Sequence, residues 1–353
     1  MINISAILSF LNNAWPYAVA VVVFLILIII HEFGHFIVAK FNGVKVNEFA
    51  VGFGPKLFKF QKGETLYSFN LIPLGGFCAM EGEDEASDND RAFCNKAAWR
   101  RFTIVAAGAF FNIVLGIILV AVSLIPGKLF GTNIVAKFDD NAKSAQSGLN
   151  EKDEIIKIDG RRVFTNYDLQ YALTGVDDGT VDMVVIRNGE KVTLNDVEFE
   201  TFEEGGIKYL KRDFWVYGKE KSFWNYIKQT GLETLSYARV VWFSLIDLIC
   251  GKFGLNAISG PVGVTAAIGT VAKQNLFNLF PIMALITINL GIFNLLPIPA
   301  LDGGRLVFII YEMIFKKPVP QKREALVHTV GIIILFAFMI FITFKDIWTL
   351  IVG

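Results

Sequence analysis

Residues 17–39 read YAVAVVVFLILIIIHEFGHFIVA, and this apolar run decides the fold. At 1.5 Å per residue, a helix over the run would be about 34 Å long, which is enough to cross the hydrocarbon core of a bilayer. A secretory signal peptide is the alternative, but it would begin with basic residues, and Lys40 is the first Lys or Arg of the chain. The run therefore predicts a retained transmembrane helix.

The composition also indicates a membrane protein. The chain of 353 residues is 54% hydrophobic and contains 33 phenylalanines, which is too apolar for an ordinary soluble protein. Its 33 Lys and Arg residues balance 33 Asp and Glu residues, and basic residues are not interleaved with aromatic ones as in a nucleic-acid interface. We therefore expect the lipid bilayer as a partner and no nucleic acid. The three cysteines are Cys78, Cys94 and Cys250, and they are widely spaced. This spacing favours inert structural thiols over a cysteine metal site.

Four segments are apolar enough to cross the membrane, at about 17–39, 103–125, 281–301 and 327–350. The loop between the first two segments and the loop between the last two are rich in Lys and Arg. The positive-inside rule places both loops in the cytoplasm. These patterns predict a multi-pass protein of the inner (cytoplasmic) membrane, with both termini on the extracytoplasmic side.

The stretch from about 128 to 221 changes abruptly to charged and polar residues. Residues Val181–Arg187 alternate as a strand does, and Asn188-Gly189 is a typical two-residue hairpin turn. Tyr167–Leu173 has the pattern of a short helix. We expect one small α+β domain here, on the extracytoplasmic side.

Residues 222–250 are ambiguous, because charged residues interrupt the apolar pattern at Lys228, Glu233, Arg239 and Asp247. Their aromatic residues suit the level of the lipid headgroups, which favours an interfacial amphipathic helix over a fifth crossing. The predicted parts of the chain are 1–127 (the first two crossings and the cytoplasmic loop), 128–221 (the external domain), 222–260 (the interfacial helix and a linker) and 261–353 (the C-terminal membrane part).

The first crossing contains the motif His31-Glu32-Phe33-Gly34-His35. Two histidines at i and i+4 lie on one helix face, so both imidazoles can bind one metal ion. Zinc lowers the pKa of a bound water, and Glu32 between the histidines can act as the base that takes its proton. This five-residue pattern also occurs by chance in soluble helices, but ionisable residues within a membrane run each cost about 2.5–3.5 kcal/mol and usually mark a functional site. The motif predicts a site for one Zn²⁺ ion with Glu32 as catalytic base.

A catalytic zinc site needs a third protein ligand. Asp302 is the best candidate, because two prolines and two glycines around it, in residues 294–305 (NLLPIPALDGGR), would break the third crossing and expose a carboxylate at membrane depth. The alternative is an aspartate that caps a helix just beyond the membrane. The only other histidine, His328, lies near the start of the last crossing and is expected to be an interfacial polar residue.

Taken together, these motifs resemble the site-2 protease family of intramembrane metalloproteases, specifically the bacterial regulator-of-sigma-E-protease type. The combination of HExxH in the first membrane helix with Leu-Asp-Gly in a later one is specific to that family. The matching stretches are His31–His35, Gly52-Phe53-Gly54-Pro55, Ile72-Pro73-Leu74-Gly75-Gly76, Ala107-Gly108 with Asn112, Ser259-Gly260-Pro261-Val262-Gly263, and residues 294–304.

The resemblance implies a zinc metalloendopeptidase acting in regulated intramembrane proteolysis. Its substrate would be a single-pass membrane protein, an anti-sigma factor or a remnant signal peptide, already trimmed by a site-1 protease and cut in or beside its transmembrane helix. The resemblance assigns His31, His35 and Asp302 as zinc ligands and suggests that Asn294 holds the substrate or the reacting carbonyl. It also implies one PDZ-like domain, over about 132–200, although Lys152 replaces the glycine usual at one of its turns.

The glycines of the first cytoplasmic loop have a physical interpretation of their own. Paired short strands around Gly52, Gly54, Gly75 and Gly76 could form a membrane-associated β-hairpin whose open edge receives an extended substrate. The alternative is a plain turn-rich loop. The predicted fold is thus mostly α, with four transmembrane helices, this hairpin and one extracytoplasmic PDZ-like domain.

Two other classes of function remain open on the sequence. A catalytically silent membrane scaffold would have no need of a base between two metal ligands, and Glu32 is intact. A metal transporter would usually have inverted repeats and paired broken helices, whereas only one broken helix is evident.

Overall fold

The computed structural model describes residues 4–83, 85–204, 206–254 and 258–352. The chain divides into two compact units, one formed by Met1–Gly116 with Ser259–Gly353 and the other by Ile117–Ile258. The helices are α1 (Ile4–Phe41), α2 (Ala98–Ser123), α3 (Lys143–Gln146), α4 (Asn166–Ala172), α5 (Phe223–Ile249), α6 (Pro261–Gln274), α7 (Leu279–Asn294), α8 (Asp302–Phe315) and α9 (Gln321–Val352). The strands are β1 (Val46–Lys62), β2 (Thr65–Met80), β3 (Leu129–Phe138), β4 (Glu154–Ile158), β5 (Arg161–Arg162), β6 (Thr180–Arg187), β7 (Glu190–Glu198), β8 (Glu200–Glu204), β9 (Ile207–Lys211) and β10 (Phe214–Glu220).

Four helices in the described part of the chain are long and apolar enough to span a membrane. They cover Ala14–Phe41, Ala98–Ser123, Leu276–Asn294 and Lys322–Thr349, with mean hydropathies between 2.0 and 2.7. The four predicted crossings are therefore present as apolar helices, and together with the family reported below they make this a multi-pass membrane protein.

The third crossing is shorter than the sequence predicts. The predicted range was 281–301, whereas α7 ends at Asn294 and a separate helix, α8, begins at Asp302. Pro297 and Pro299 lie in the interval, and a proline removes a backbone donor and clashes with the preceding turn. Asp302 therefore lies in the first turn of α8 and not within a spanning helix.

The hairpin expected between the first two crossings is formed by β1 and β2. The strands pair antiparallel, from Val46 opposite Met80 at the open end to Lys62 opposite Thr65 at the turn. The register shifts several times along the hairpin, and Gly52 has φ 84°, a left-handed conformation that favours glycine. The hairpin also folds back on itself: residues 66–69 of β2 pair with residues 48–51 of β1 as well as with residues 58–61, whereas residues 76–79 of β2 pair on one side only.

The second unit contains an antiparallel sheet with strand order β10-β3-β4-β6-β7, and β5 pairs with β4. Asn188 and Gly189 join β6 to β7 with φ values of 54° and 86°, as the sequence predicts for a two-residue hairpin. The predicted short helix is α4. Lys152 has φ 70°, a left-handed backbone conformation that favours glycine. The apolar core of the unit includes Val135, Leu149, Ile155, Ile158, Leu169, Met183, Val185 and Val197.

Helix α5 confirms the helix expected over 222–250 and shows why charges interrupt its apolar pattern. Arg239 Nη1 donates to Asp168 Oδ1 at 3.0 Å, and Ser236 Oγ donates to Asp168 Oδ2 at 2.5 Å. Asp247 pairs with Arg161 beside β5. Arg239 and Asp247 therefore attach α5 to the sheet domain within the second unit.

Candidate metal centre

Helix α1 brings the two predicted histidine ligands together. His31 and His35 are both buried, one turn apart on the same face, and their Nε2 atoms are 3.2 Å apart. The helix is continuous through the motif, because no proline follows Pro16 in α1 and the residues around the motif are strongly apolar. Both imidazoles therefore direct Nε2 to one point.

Asp302 completes this cluster from the other end of the chain. Its Oδ2 atom is 3.2 Å from His31 Nε2 and 3.3 Å from His35 Nε2. In the described residues, this is the one group of three His, Cys, Asp or Glu side chains whose ligand atoms lie within 4.8 Å of one another. The structure thus brings together the three side chains that the sequence singled out.

The contacts behind the imidazoles orient both Nε2 atoms towards a metal ion. His35 Nδ1 lies 2.9 Å from the carbonyl oxygen of Ile104, which can only accept, so Nδ1 carries the proton and Nε2 offers its lone pair. His31 Nδ1 lies 3.1 Å from the side-chain amide of Asn112. The amide atom at this distance is Nδ2, a donor, so a proton on His31 Nδ1 requires the amide to turn its oxygen, which has no partner among the described residues, towards the ring.

This donor set fits zinc. Two imidazole nitrogens and one carboxylate oxygen are the ligands of one common type of catalytic zinc site, which leaves a fourth position open. Asp302 Oδ2 is buried and has no hydrogen-bond partner among the described residues, which is costly unless a cation compensates it.

A cavity of about 380 Å³ adjoins the cluster. It is lined by His31, Glu32, His35 and Asp302, by Arg305 one turn further along α8, and by residues 77–80 of β2. Glu32 therefore faces the same space as the three ligands. A strand forms one wall of this cavity, which leaves the site accessible to an extended chain beside the metal ligands.

Gly34 and Gly108 allow α1 and α2 to pack closely beside the metal ligands, and neither was assigned this role from the sequence. An atom at the Cβ position of Gly34 would lie 2.5 Å from the Ala107 carbonyl oxygen, so α1 and α2 touch backbone to backbone there. A Cβ on Gly108 would overlap His35 Nε2 and lie 2.7 Å from His31 Cε1. The only sequence signal for these roles was the Ala107-Gly108 pair within an apolar helix.

The residues predicted to bind substrate lie at different distances from the cluster. A Cβ on Gly76 would be 3.4 Å from Glu32 Cγ and 2.8 Å from the Ala50 carbonyl oxygen, so Gly76 lies beside the predicted base. Gly75 packs against the Phe53 ring. Gly52 and Gly54 pack against Ile72 within the hairpin. The hairpin therefore brings Gly76 to the site, while the other three glycines shape the hairpin itself.

Two further polar residues, Asn294 and His328, were considered from the sequence of the C-terminal membrane part. Asn294 is the last residue of α7 and is buried, and it is not among the residues that line the catalytic cavity in the described chain. His328 accepts a hydrogen bond from the backbone N–H of Ala300 at 3.3 Å and lines a different cavity of about 480 Å³, which Asp302 also borders. Neither is part of the three-residue ligand group.

The fold and the site together define a membrane-embedded metallohydrolase. The sequence model of Peptidase family M50 matches residues 19–338, and the chain belongs to this family. It is 36% identical to a protein of Clostridium perfringens named as a zinc metalloprotease, over 93% of this chain and 97% of that one. It is 29% identical to the regulator of sigma-W protease RasP of Bacillus subtilis, over 93% of this chain and 97% of that one. A zinc metalloprotease of Bacillus licheniformis, also named RasP, is 30% identical over 93% of this chain and 97% of its own length. The chain is accordingly a zinc metalloprotease.

Proposed function

We propose that this protease hydrolyses a peptide bond in or next to the transmembrane segment of single-pass membrane proteins. The observation that carries the proposal is that His31 and His35, within the first apolar helix, converge with Asp302 at a cavity that has a strand as one wall. A metal site at that depth is of use for a substrate that is itself in the membrane. An anti-sigma factor or a remnant signal peptide fits, and one relative is named as a regulator of sigma-W protease.

In this proposal each residue of the site has a distinct role. His31, His35 and Asp302 hold the zinc ion, which supplies Lewis acidity when bound. Glu32 accepts a proton from the attacking water and returns it to the leaving amine. Ile104 and Asn112 hold the imidazoles in place through their Nδ1 atoms.

The hairpin would present the substrate to the site. A helical substrate hides its peptide bonds in its own hydrogen bonds, so it must be extended before it can be cut. Strand β2 has an edge that its own sheet does not pair, and its residues 77–79 line the catalytic cavity. Addition of the substrate as a strand along this edge would place an extended bond beside Glu32, with Gly76 leaving room for it.

The proposal also includes a place in the cell. The Lys- and Arg-rich loops favour a protein of the inner membrane with its active site towards the cytoplasm, and with both termini and the domain at 128–221 on the other side. That domain has the mixed α+β character of a PDZ-like domain. The protease would act on substrates that a site-1 protease has already shortened.

The test compares wild type with Glu32→Gln, reconstituted with a candidate single-pass substrate, with zinc content measured in both. We expect equal zinc and cleavage by the wild type alone, because glutamine keeps the size of the side chain and removes the base. Glu151→Gln, at an exposed position of the second unit, is the matched control and should cleave normally. Cleavage by Glu32→Gln at the wild-type rate would refute the assignment of the base. Zinc flux across the vesicles without cleavage would refute the protease proposal in favour of a transporter.

A further inference from the structure

A basic cavity of the second unit is lined by residues of the sheet and of the first turns of α5. Its volume is about 540 Å³. Five basic side chains and one acidic side chain line it: Lys157, Arg162, Lys191, Lys219, Lys228 and Glu154. They come from β4, β5, β7, β10 and α5, so five separate elements direct positive charge into one space.

These five cations are not neutralised by the protein. In the part of the chain that the structure describes, none of the five has a carboxylate within 4.0 Å, and none of their side-chain nitrogens makes a hydrogen bond. Other basic residues of the same unit behave differently: Arg161, Arg187 and Arg239 are each paired with an aspartate. A cavity with four net positive charges (five basic, one acidic) favours an anionic ligand.

The cavity lies where α2 ends. The hydroxyl of Tyr226, in the first turn of α5, donates to the carbonyl oxygen of Ala121 in the last turn of α2. Lys221 Nζ donates to the carbonyl oxygen of Pro126 at 2.9 Å, just beyond that helix. Because α5 rises 1.5 Å per residue, its cavity-lining residues 225–232 lie within about 10 Å of this junction along the helix axis.

Aromatic residues at the same level support a position at the membrane surface. Phe223 and Trp224, at the start of α5, are 71% and 76% exposed. Large aromatic side chains so exposed are typical of the lipid headgroup region, where Trp and Tyr are enriched. A candidate membrane span that ends at Ser123 and two exposed aromatics thus place the basic cavity next to lipid headgroups.

We propose that this cavity binds the phosphate headgroup of an anionic phospholipid. A peptide carboxylate and a lipid phosphodiester each carry one negative charge, but only the lipid headgroup is held at the level of the membrane surface and at high local concentration. The bound lipid would fix the base of α5, and with it the attached sheet domain, at the membrane surface. This inference needs α2 to cross the membrane and does not depend on the identity of the protease substrate.

The experiment uses the full chain in a neutral detergent, titrated with phosphatidylglycerol or with phosphatidylcholine and analysed by native mass spectrometry. We expect one saturable phosphatidylglycerol and no saturable phosphatidylcholine. Lys157→Gln/Lys228→Gln should weaken phosphatidylglycerol binding by about 30-fold, since each basic residue near an anionic surface contributes about fivefold. The control Lys143→Gln/Lys152→Gln makes the same change of charge at exposed lysines of the unit that do not line the cavity, and should bind normally.

Three outcomes would overturn the proposal. Equal weakening in both double variants would mean that net charge alone attracts the lipid. Saturation by inorganic phosphate at the same concentrations as the lipid would assign the cavity to a soluble anion. Binding of an acidic peptide, with no preference between the two lipids, would assign it to a protein partner.

Discussion

Gly108 determines how closely α2 approaches the two imidazoles. Its missing side chain leaves the volume in which His31 and His35 meet. Such a contact is decided by a single methyl group, because protein interiors are packed to near-crystalline density and neighbouring backbones cannot retreat easily. The site thus depends on a residue that contributes no chemical group.

We predict that Gly108→Ala lowers proteolytic activity by about 100-fold, because a displacement of catalytic groups by about 1 Å can cost that much. Zinc content should also fall, since the added Cβ would overlap His35 Nε2. Metal analysis and a cleavage assay on the purified protein measure both effects.

The matched control is Gly231→Ala in α5, where a Cβ would meet no atom within 4 Å. It makes the same change within a helix and should stabilise the protein by about 0.5–1 kcal/mol with unchanged activity. Normal zinc content and activity in Gly108→Ala would show that the imidazoles have more room than this geometry allows.

Among individual residues, the sequence identified those whose chemical role follows from the residue type. His31, Glu32, His35 and Asp302 could be selected because ionisable groups are rare in apolar segments. Gly108 and Asn112 could not be assigned roles in advance, because a packing contact and an outer hydrogen bond depend on which helix lies alongside α1. Periodicity along one helix does not contain that information.

Among the secondary-structure elements, the hairpin of β1 and β2 is the one that we propose presents the substrate. Gly75 has φ 109° and packs against Phe53, and Gly76 lies between Ala50 and Glu32. Larger side chains at these two positions would push β2 away from α1. The three metal ligands lie on helices and would keep their places.

We therefore predict that Gly75→Val/Gly76→Val abolishes cleavage while zinc content stays normal. The control is Gly63→Ala at the hairpin turn, where φ is 62° and a Cβ would meet nothing within 4 Å. It places a side chain on a left-handed glycine that does not line the cavity, and should retain most activity. Full cleavage by the double variant would exclude a role for β2 in presenting substrate.

Helix α5 contains a carboxyl group that is poorly placed for its charge. Burial raises the pKa of Glu233, and the nearby Asp168 raises it further, although Gln229 donates a hydrogen bond to it at 2.9 Å. The pKa of this carboxyl group is higher in the folded than in the unfolded protein. The folded protein therefore loses stability as the pH rises above the unfolded-state pKa of about 4.3. Charged Glu233 thus destabilises the second unit at neutral pH.

We predict that Glu233→Gln raises the free energy of unfolding at pH 7, and that this gain disappears as the pH falls below about 4. Denaturant unfolding of the purified protein at both pH values measures the difference. Glu190→Gln, at an exposed position on β7, is the control and should change little at either pH. A gain of equal size at both pH values would mean that charge is not its cause.

Element boundaries were harder to predict than element types. The third crossing was extended to 301 because apolar residues continue past Asn294, and hydropathy does not register the loss of backbone donors at Pro297 and Pro299. Helices α6 and α8 were not anticipated, since each has only 14 residues and lacks the length of a membrane span.

At the scale of the molecule, the proposed zinc site joins distant parts of the chain. His31 and His35 belong to the first helix, whereas Asp302 begins the helix that precedes the last one. A ligand that binds only the folded state stabilises it, by about 2.7 kcal/mol at a concentration 100-fold above its dissociation constant. Metal binding should therefore hold the two ends of the first unit together.

We predict that a chelator lowers the melting temperature of the wild type and of Glu32→Gln by similar amounts, and has no effect on His35→Ala. Thermal unfolding in detergent, with and without the chelator, tests this. The glutamine variant separates metal binding from catalysis, because it lacks the base and keeps all three ligands. An equal shift in His35→Ala would show that the stabilising metal binds elsewhere.

The number of crossings and the nature of the metal site were predictable, because both depend on residue type along one segment. The attachment of α5 to the sheet domain was not, because it depends on pairs such as Arg161 with Asp247 that are far apart in the sequence. Such pairs become visible only when the chain is folded.

The contact between α1 and α2 at Gly34 also limits the directions from which a substrate can reach the metal site. With Ala107 against Gly34, no acyl chain or polypeptide fits between these helices, and this flank of the metal ligands is closed to lipid. The cavity beside β2 is lined by neither Gly34 nor Ala107. We therefore expect a substrate chain to reach the metal site from the cavity and not between α1 and α2.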